Sequence, residues 1–344
     1  MSVDIYTKAK VDELLAAAGA GAGSGGLIEA MSGGDGLAAA VRLPTPSGWD
    51  VMLADTGGAS ADGFKYFTIF KAAGRISVPL DTYYAYTAGH NTNEITLVTA
   101  PTPAGPWTVR GSVLTPTAYL SSHKSSPWVV WWNGEVLLYV HGNIPNGSSQ
   151  GTSVFRSSDG QTFVEHTSLA FNTTAATNPI SFLAHAATYL RVVDAGGYLV
   201  AIFQANAAYS GGGASDVPVA AGWATSTDGL NWNIARAPLL ANRPGERGLF
   251  DPSLMRVGPN WVLTGYNPTR SKVEAWVSDR LKPGSFRFMC DWVGLEAVPG
   301  YDWIVTPTTF WDNGTHHLYA GSVDSTYVTK GKVHHTTLDW GSLR

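Results

Sequence analysis

The stretch His123 to Gly142, HKSSPWVVWWNGEVLLYVHG, reads as two antiparallel strands about a tight turn. Ser126-Pro127 opens the first strand, Trp128 to Trp132 fills it, and Val136 to Val140 returns. Asn133-Gly134 lies between the two apolar, β-branched and aromatic runs, and Asn-Gly in that setting is the strongest short hairpin signal. The stretch recurs. Pro307 onward reads TPTTFWDNGTHHLYAGS, with Asn313-Gly314 as the turn and Leu318-Tyr319 standing where Leu138-Tyr139 stood. Pro252 onward reads DPSLMRVGPNWVLTGYN, turning at Gly258-Pro259-Asn260. One hairpin unit used repeatedly is the mark of a repeat architecture.

Working outward, further units emerge. Arg75 to Leu80 leads into a return strand from Thr82 to Thr87, then Ile95 to Thr99 and a Gly105-Pro106-Trp107 turn. Ala187 to Val193 turns at Ala195-Gly196-Gly197 into Tyr198 to Phe203, followed by Gly222 to Ser226. Successive units lie roughly fifty-five to sixty-five residues apart, longer than a WD40 blade. Units of three to four antiparallel strands arranged radially bury their faces on one another and leave only short edges. The expected fold is therefore all-β, a five-bladed β-propeller over residues 49–344. Trp49 to Ala54 is a spare strand, expected to close the ring on the last blade. The turns Ser158-Asp159-Gly160 and Thr227-Asp228-Gly229 resemble the Asp-box of sialidase-type propellers with one residue missing, and read as architecture, an Asp side chain bonding its own backbone.

Composition agrees with many strands and turns. Of 344 residues only 14% are charged, and thirteen are Trp. A net charge of −4 gives no basic field for nucleic acid. Cys290 is the single cysteine, which excludes an intrachain disulfide and a cysteine-built metal site. The N-terminus, MSVDIYTKAKVDELL, has no apolar segment of the signal-peptide kind, and no run approaches a membrane span, so synthesis in a host cytoplasm without membrane insertion is expected. Thr7 caps an expected helix from Lys8 to about Ala18, with Val11, Leu14, Leu15 and Ala18 on one face. Residues 1–18 thus read as an attachment helix and residues 19–48, rich in Gly, Ala and Ser, as a tether.

Two resemblances follow from these residues. IYTKAKVDELLAAAG, Ile5 to Gly19, resembles a short segment near the N-termini of bacteriophage tail fibre and minor tail proteins. It implies a virion protein joined to other tail proteins by its helix, as a homo-oligomer, a trimer in the first instance. The blade pattern (Ser-Ser-Pro, Asn-Gly, Leu-Tyr-Val-His-Gly, the Gly-Pro-Trp turn and Phe250-Asp251-Pro252) resembles the five-bladed propellers of glycoside hydrolase family 43 and its relatives. That resemblance allows a single Ca2+ in the channel, although no metal-ligand spacing is present in the chain. It also implies an acid on the inner strand of the first blade, where Ala72-Ala73-Gly74-Arg75 offers none and Asp81 sits in the hairpin turn.

In such a ring, function belongs to the blade starts and to the loops joining second to third strands. Blade starts offer His123, His185, Asp251 and Asp302, with Glu246 and Arg247 just ahead of the fourth. The loops offer His90 and His141, and Trp128, Tyr266 and Trp303 are aromatic candidates for stacking on a sugar. Glycosidases use two carboxyl groups across the scissile bond. Asp251 is the best placed, Glu246 its leading partner as general acid and Asp302 the next. Three readings follow: a tail protein whose propeller recognises a host cell-surface glycan, a propeller glycoside hydrolase degrading cell-wall or capsular polysaccharide, and a structural tail component with a filled channel.

Overall fold

The computed structural model describes residues 43–44, 46, 48–54, 64–89, 93–114, 120, 122–143, 150–166, 186–206, 219–241, 243–294, 303–323 and 331–339. The expected helix of residues 1–18 and most of the tether lie outside these. Among the described residues there is no helix, and none therefore that could cross a membrane.

Five blades are present. The first comprises β2 (Tyr66–Lys71), β3 (Tyr83–Ala88), β4 (Thr96–Ala100) and β5 (Thr108–Ser112). The second comprises β6 (Ser122–Trp132), β7 (Glu135–Asn143), β8 (Gln150–Ser157) and β9 (Val164–Glu165). The third holds β10 (Ala186–Asp194), β11 (Leu199–Asn206), β12 (Val219–Ser226) and β13 (Asn233–Ile234), touching the second through one bridge, Ala186 to Gln150. The fourth holds β14 (Phe250–Val257), β15 (Asn260–Asn267), β16 (Lys272–Ser278) and β17 (Arg287–Gly294). The fifth is β18 (Trp303–Asp312), β19 (Thr315–Val323), β20 (Lys332–Leu338) and, paired antiparallel to β20, the early strand β1 (Asp50–Ala54). The spare strand thus closes the ring, as its position ahead of the first blade requires. Inner strands β2, β6, β10, β14 and β18 touch their neighbours all the way round, which defines the central axis.

The hairpin that decides the fold turns where the sequence places it. Trp132 pairs with Glu135, and Asn133 and Gly134 take φ of 50° and 84°. Asn313 and Gly314 repeat this with 47° and 84°. Two positive φ angles in succession make the turn whose twist matches the strands, and Asn-Gly adopts it at least cost. One element differs from expectation. The inner strand of the first blade is Tyr66–Lys71, not the segment before Leu80. Arg75 to Leu80 is connecting chain, with Val78 81% exposed and Ile76 alone of the stretch buried in the core between the first and second blades, because Pro79 has no N–H for a ladder.

The repeated Leu-Tyr pair has a physical role. Tyr139 on β7 is 1% exposed and donates its hydroxyl to the Gly229 carbonyl of the third blade at 2.6 Å. Tyr86 on β3 does the same to Gly160 of the second blade at 2.7 Å, and Tyr319 on β19 to Pro103 of the first at 3.0 Å. Each tyrosine holds the turn between the third and fourth strands of the next blade. In the second and third blades those turns are the two Asp-box-like segments. Ser157 and Asp159 close one and Ser226 and Asp228 the other, each Asp Oδ1 accepting two backbone N–H groups at 2.8 Å. Burial alone would raise the Asp228 carboxyl, but the N–H groups of Asn231 and Leu230 and the Asn231 amide hold it well below the usual range. Gly229 permits the close approach. Its φ is +77°, and a Cβ there would lie 2.4 Å from Leu137 Cδ1. Tyr139→Phe removes the hydroxyl and leaves a buried carbonyl without its donor, so it is expected to cost about 1 to 2 kcal/mol. Urea unfolding measures this, and an unchanged midpoint would show that the hydroxyl does not lock the blades.

The ring is sealed between the fifth and first blades by Asp312, which accepts Lys71 Nζ at 2.9 Å and the Tyr83 hydroxyl at 2.6 Å. Residues that composition assigned to the tether also pack on the body. Leu43 is buried in the core between the fourth and fifth blades, and Pro44 accepts the Trp292 indole N–H at 2.8 Å.

Candidate functional site at the channel mouth

Four of the five inner strands share one irregularity. Register slips between Ser125 and Trp128 on β6, Thr188 and Arg191 on β10, Phe250 and Ser253 on β14, and Val305 and Thr308 on β18. Inside three of these bulges a non-glycine residue takes positive φ: Ser126 (47°), Tyr189 (54°) and Asp251 (50°). Such a conformation costs an L-residue about 1–2 kcal/mol. A bulge re-aims a side chain and is characteristic of functional rims. β2 has no slip, and its start carries Lys65 and Tyr66.

The residues brought together on the axis are therefore Tyr66, Ser126, Tyr189 and Asp251, with neighbours. Tyr66 and Tyr189 rings stand 5.8 Å apart, and with Val305 they form an apolar cluster across the channel. His141 on β7 lies 4.7 Å from the Tyr189 ring and 5.6 Å from His123, whose backbone N–H is donated to Asn93 Oδ1. Tyr66, Ser126 and His141 are each 2% exposed or less, so this group is a buried cluster beneath the mouth. Asp251 is 3% exposed, and its backbone N–H faces Gln204 Oε1 on β11 at 3.4 Å. Opposite stands Arg191, 1% exposed, its guanidinium 5.0 Å over the Trp128 ring. Burial pulls the Arg191 pKa below the ordinary arginine value, and the Asp251 charge opposes that pull.

Several expected site residues are elsewhere. Trp128 is buried between the second and third blades, donating its indole N–H to Val192 at 2.9 Å, so its faces serve packing and Arg191 and not a sugar. Tyr266, 2% exposed, belongs to the core between the fourth and fifth blades. Glu246 is taken up in an ionic network on the fourth blade. Its Oε2 accepts Asn267 Nδ2 at 2.7 Å and Arg243 Nε at 2.9 Å. The centre of that network is Glu274, fully buried, which accepts Arg243, Arg270 (3.0 Å), Asn267 (3.0 Å) and the Trp276 indole (3.0 Å). Both carboxylates are thus engaged by cationic and amide partners within the blade. His90, His185 and Asp302 lie outside the described residues, as does the side chain of Trp303.

Calcium does not fit the described donors. The ion takes six to eight oxygen ligands, and Asp251 is the one carboxylate among the described bulge residues, with a guanidinium beside it. No group of three or more His, Cys, Asp or Glu among the described residues is arranged to hold a metal. Sequence reasoning missed Tyr66, Tyr189 and Arg191. The missed signal was Tyr189-Leu190-Arg191, which occupies the same place in its blade as Asp251-Pro252-Ser253 but lacks the proline that flagged the others.

No protein-family model matches the sequence, and no curated protein does. Solved structures do match. A family 117 glycoside hydrolase, Zg3597, of the marine bacterium Zobellia galactanivorans superposes with a TM-score of 0.65 at 11% identity, over 87% of this chain and 91% of its own. CoXyl43, a family 43 β-xylosidase/α-arabinofuranosidase from a compost microbial metagenome, gives 0.62 at 12%, over 86% and 95%. A thermostable family 43 glycoside hydrolase gives 0.61 at 11%, over 83% and 91%. At these identities the likeness is one of fold. The chain is a five-bladed β-propeller of the architecture found in these glycoside hydrolases.

Proposed function

We propose that this chain is a glycan-acting propeller of the glycoside hydrolase type, with its site at the mouth around Asp251. The observation that carries the reading is the bulge at Asp251. It spends backbone strain at a buried carboxylate on an inner strand, near enough to the Arg191 guanidinium for the two charges to act on each other. Asp251 would act as general base or nucleophile. The partner acid would be supplied from a neighbouring blade start, where the sequence places Asp302 after the fourth blade. The neighbours in fold support this reading over one of pure attachment.

A second reading rests on a specific observation. Tyr66, Ser126 and Tyr189 fill other described axial positions and carry no carboxylate, so the mouth would hold a sugar without the second acid that cleavage needs. Attachment to a phage tail is a finer version of that reading. It stands on Ile5 to Gly19 alone, outside the described residues. The host-surface glycan, trimeric assembly and virion location belong with it.

Incubating the purified chain with cell-wall and capsular polysaccharides separates the two. Released reducing sugar establishes hydrolysis. Retention on the polysaccharide without release establishes binding. Neither release nor retention across the panel would remove both readings.

A further inference from the structure

Arg247 leads into β14 just ahead of Asp251 and is fixed at the mouth by its backbone. Its N–H is donated to Thr269 Oγ1 at 3.1 Å, in the turn joining β15 to β16. Its carbonyl accepts the Val219 N–H, at the start of β12 on the third blade, at 2.8 Å. The guanidinium lies 5.1 Å over the Phe250 ring. Its Nε and Nη2 are both withdrawn from solvent and have no hydrogen-bond partner among the described residues. Those two atoms form a single edge of the guanidinium, the edge that grips two oxygens of one oxyanion through parallel N–H···O bonds. Arg191, on the third blade beside Asp251, also has a buried Nε without a partner among the described residues.

Neighbouring arginines differ. Arg243 and Arg270 are saturated by Glu246, Glu274 and Asp291. The network on the fourth blade is thus closed on itself, and Glu246 is drawn toward Arg243, its neighbour at i−3. Buried donors are almost always satisfied, and a desolvated guanidinium calls for an anion more than for a neutral hydroxyl. Near the axis, Asp251 acts on Arg191, and no carboxylate among the described residues bonds the Arg247 edge, which leaves the mouth short of negative charge.

We infer that the mouth is built for an acidic sugar, whose carboxylate or sulfate group is seated on the Nε–Nη2 edge of Arg247 while its ring lies toward Asp251. The inference deepens the glycan reading above and rests on it. The shared chemistry is an oxyanion carried on a sugar ring, and either a uronate or a sulfate ester supplies it.

Isothermal titration of the full chain with three probes tests this: a galacturonate trisaccharide, a sulfated galactan oligosaccharide and a neutral galactose trisaccharide. One of the acidic probes is expected to bind roughly tenfold or more tightly than the neutral one, as a bidentate charged contact provides. In Arg247→Gln, checked for folding by its thermal transition, the ratio of acidic to neutral affinity is expected to fall to near one. Arg247→Lys keeps the charge without the two-pronged edge and is expected to fall between. Whichever acidic probe prevails identifies the oxyanion. Equal binding of acidic and neutral probes by the native chain, or an acidic preference that survives Arg247→Gln, overturns the inference while leaving the glycan reading in place. Binding of none of the three probes, together with no binding or cleavage of any polysaccharide in the wider panel, removes the glycan reading and this inference with it.

Discussion

Asp251→Asn is expected to lower sugar release by roughly 10²- to 10⁴-fold, the range associated with loss of a positioned acid or base. Asn has the shape of Asp and is among the residues that tolerate positive φ, so the bulge at 50° is retained. What disappears is the charge, and with it both the reacting oxygen and the field that Asp251 exerts on Arg191. The change in thermal midpoint is expected to be small beside the change in rate. Rates are measured on the polysaccharide that the native chain cleaves, with folding followed by circular dichroism. A variant that keeps the native rate would take Asp251 out of the chemistry.

Acid is expected to destabilise this protein well before its carboxylates titrate. The fifth blade buries four histidines on β19 and β20: His316, His317, His334 and His335. Burial, and then the neighbouring His317, push both His316 and His335 down to about 4. His317 and His334 are lowered too, burial again being the leading cause. His317 Nδ1 and His335 Nε2 are 2.9 Å apart, a distance that suits one shared proton and not two charged rings. In the unfolded chain these residues take up protons near the ordinary value of 6.5, while in the folded blade His316 and His335 refuse them until about 4 and His317 and His334 are shifted the same way. The unfolded state therefore binds more protons across that window, and stability rises with pH within it. The contribution is complete above about 6.5 and is lost as pH falls toward 4. A pKa displaced by one pH unit is worth about 1.4 kcal/mol, so the combined loss is on the order of several kcal/mol. Asp159 and Asp228, held low by backbone N–H groups, lose their share only below the ordinary carboxylate value of 3.8, so the two effects separate on the pH axis. Urea unfolding at steps from pH 7 to 4 measures the curve. His335→Gln keeps a hydrogen-bond partner for His317 and is expected to flatten it. A flat curve for the native chain would contradict neutral burial of these rings.

Much of the architecture was legible because its determinants are local. Asn133-Gly134 and Asn313-Gly314 dictate their own turns, and the continuous apolar runs beside them mark strands buried on both faces, as β7 is. The closing strand at Asp50–Ala54 was legible from counting, since it precedes a complete first blade. Less could be read of the first blade, where Arg75 to Leu80 has strand-like residues but no sheet to join, and Tyr66–Lys71 is the true inner strand. Of the four bulged positions, the sequence singled out Asp251 through its Asp-Pro step. Its neighbours are set by bulges, which depend on how two strands slip past each other and leave no mark in one strand alone. Trp128 misled for a related reason. It is at the right place along the strand, yet it lies on the face turned to the third blade, where Arg191 and the Val192 carbonyl claim it. Glu246 misled because the network that holds it is centred on Glu274, on a strand that begins well after it in the chain.

Whether the mouth beside Asp251 holds the sugar is tested most directly by a crystal structure of Asp251→Asn with a bound oligosaccharide. The expected result is a sugar at the mouth, within hydrogen-bonding distance of residue 251, with an acidic substituent on Arg247. Oligosaccharide bound on the outer strands or between blades, with the mouth empty, would contradict it.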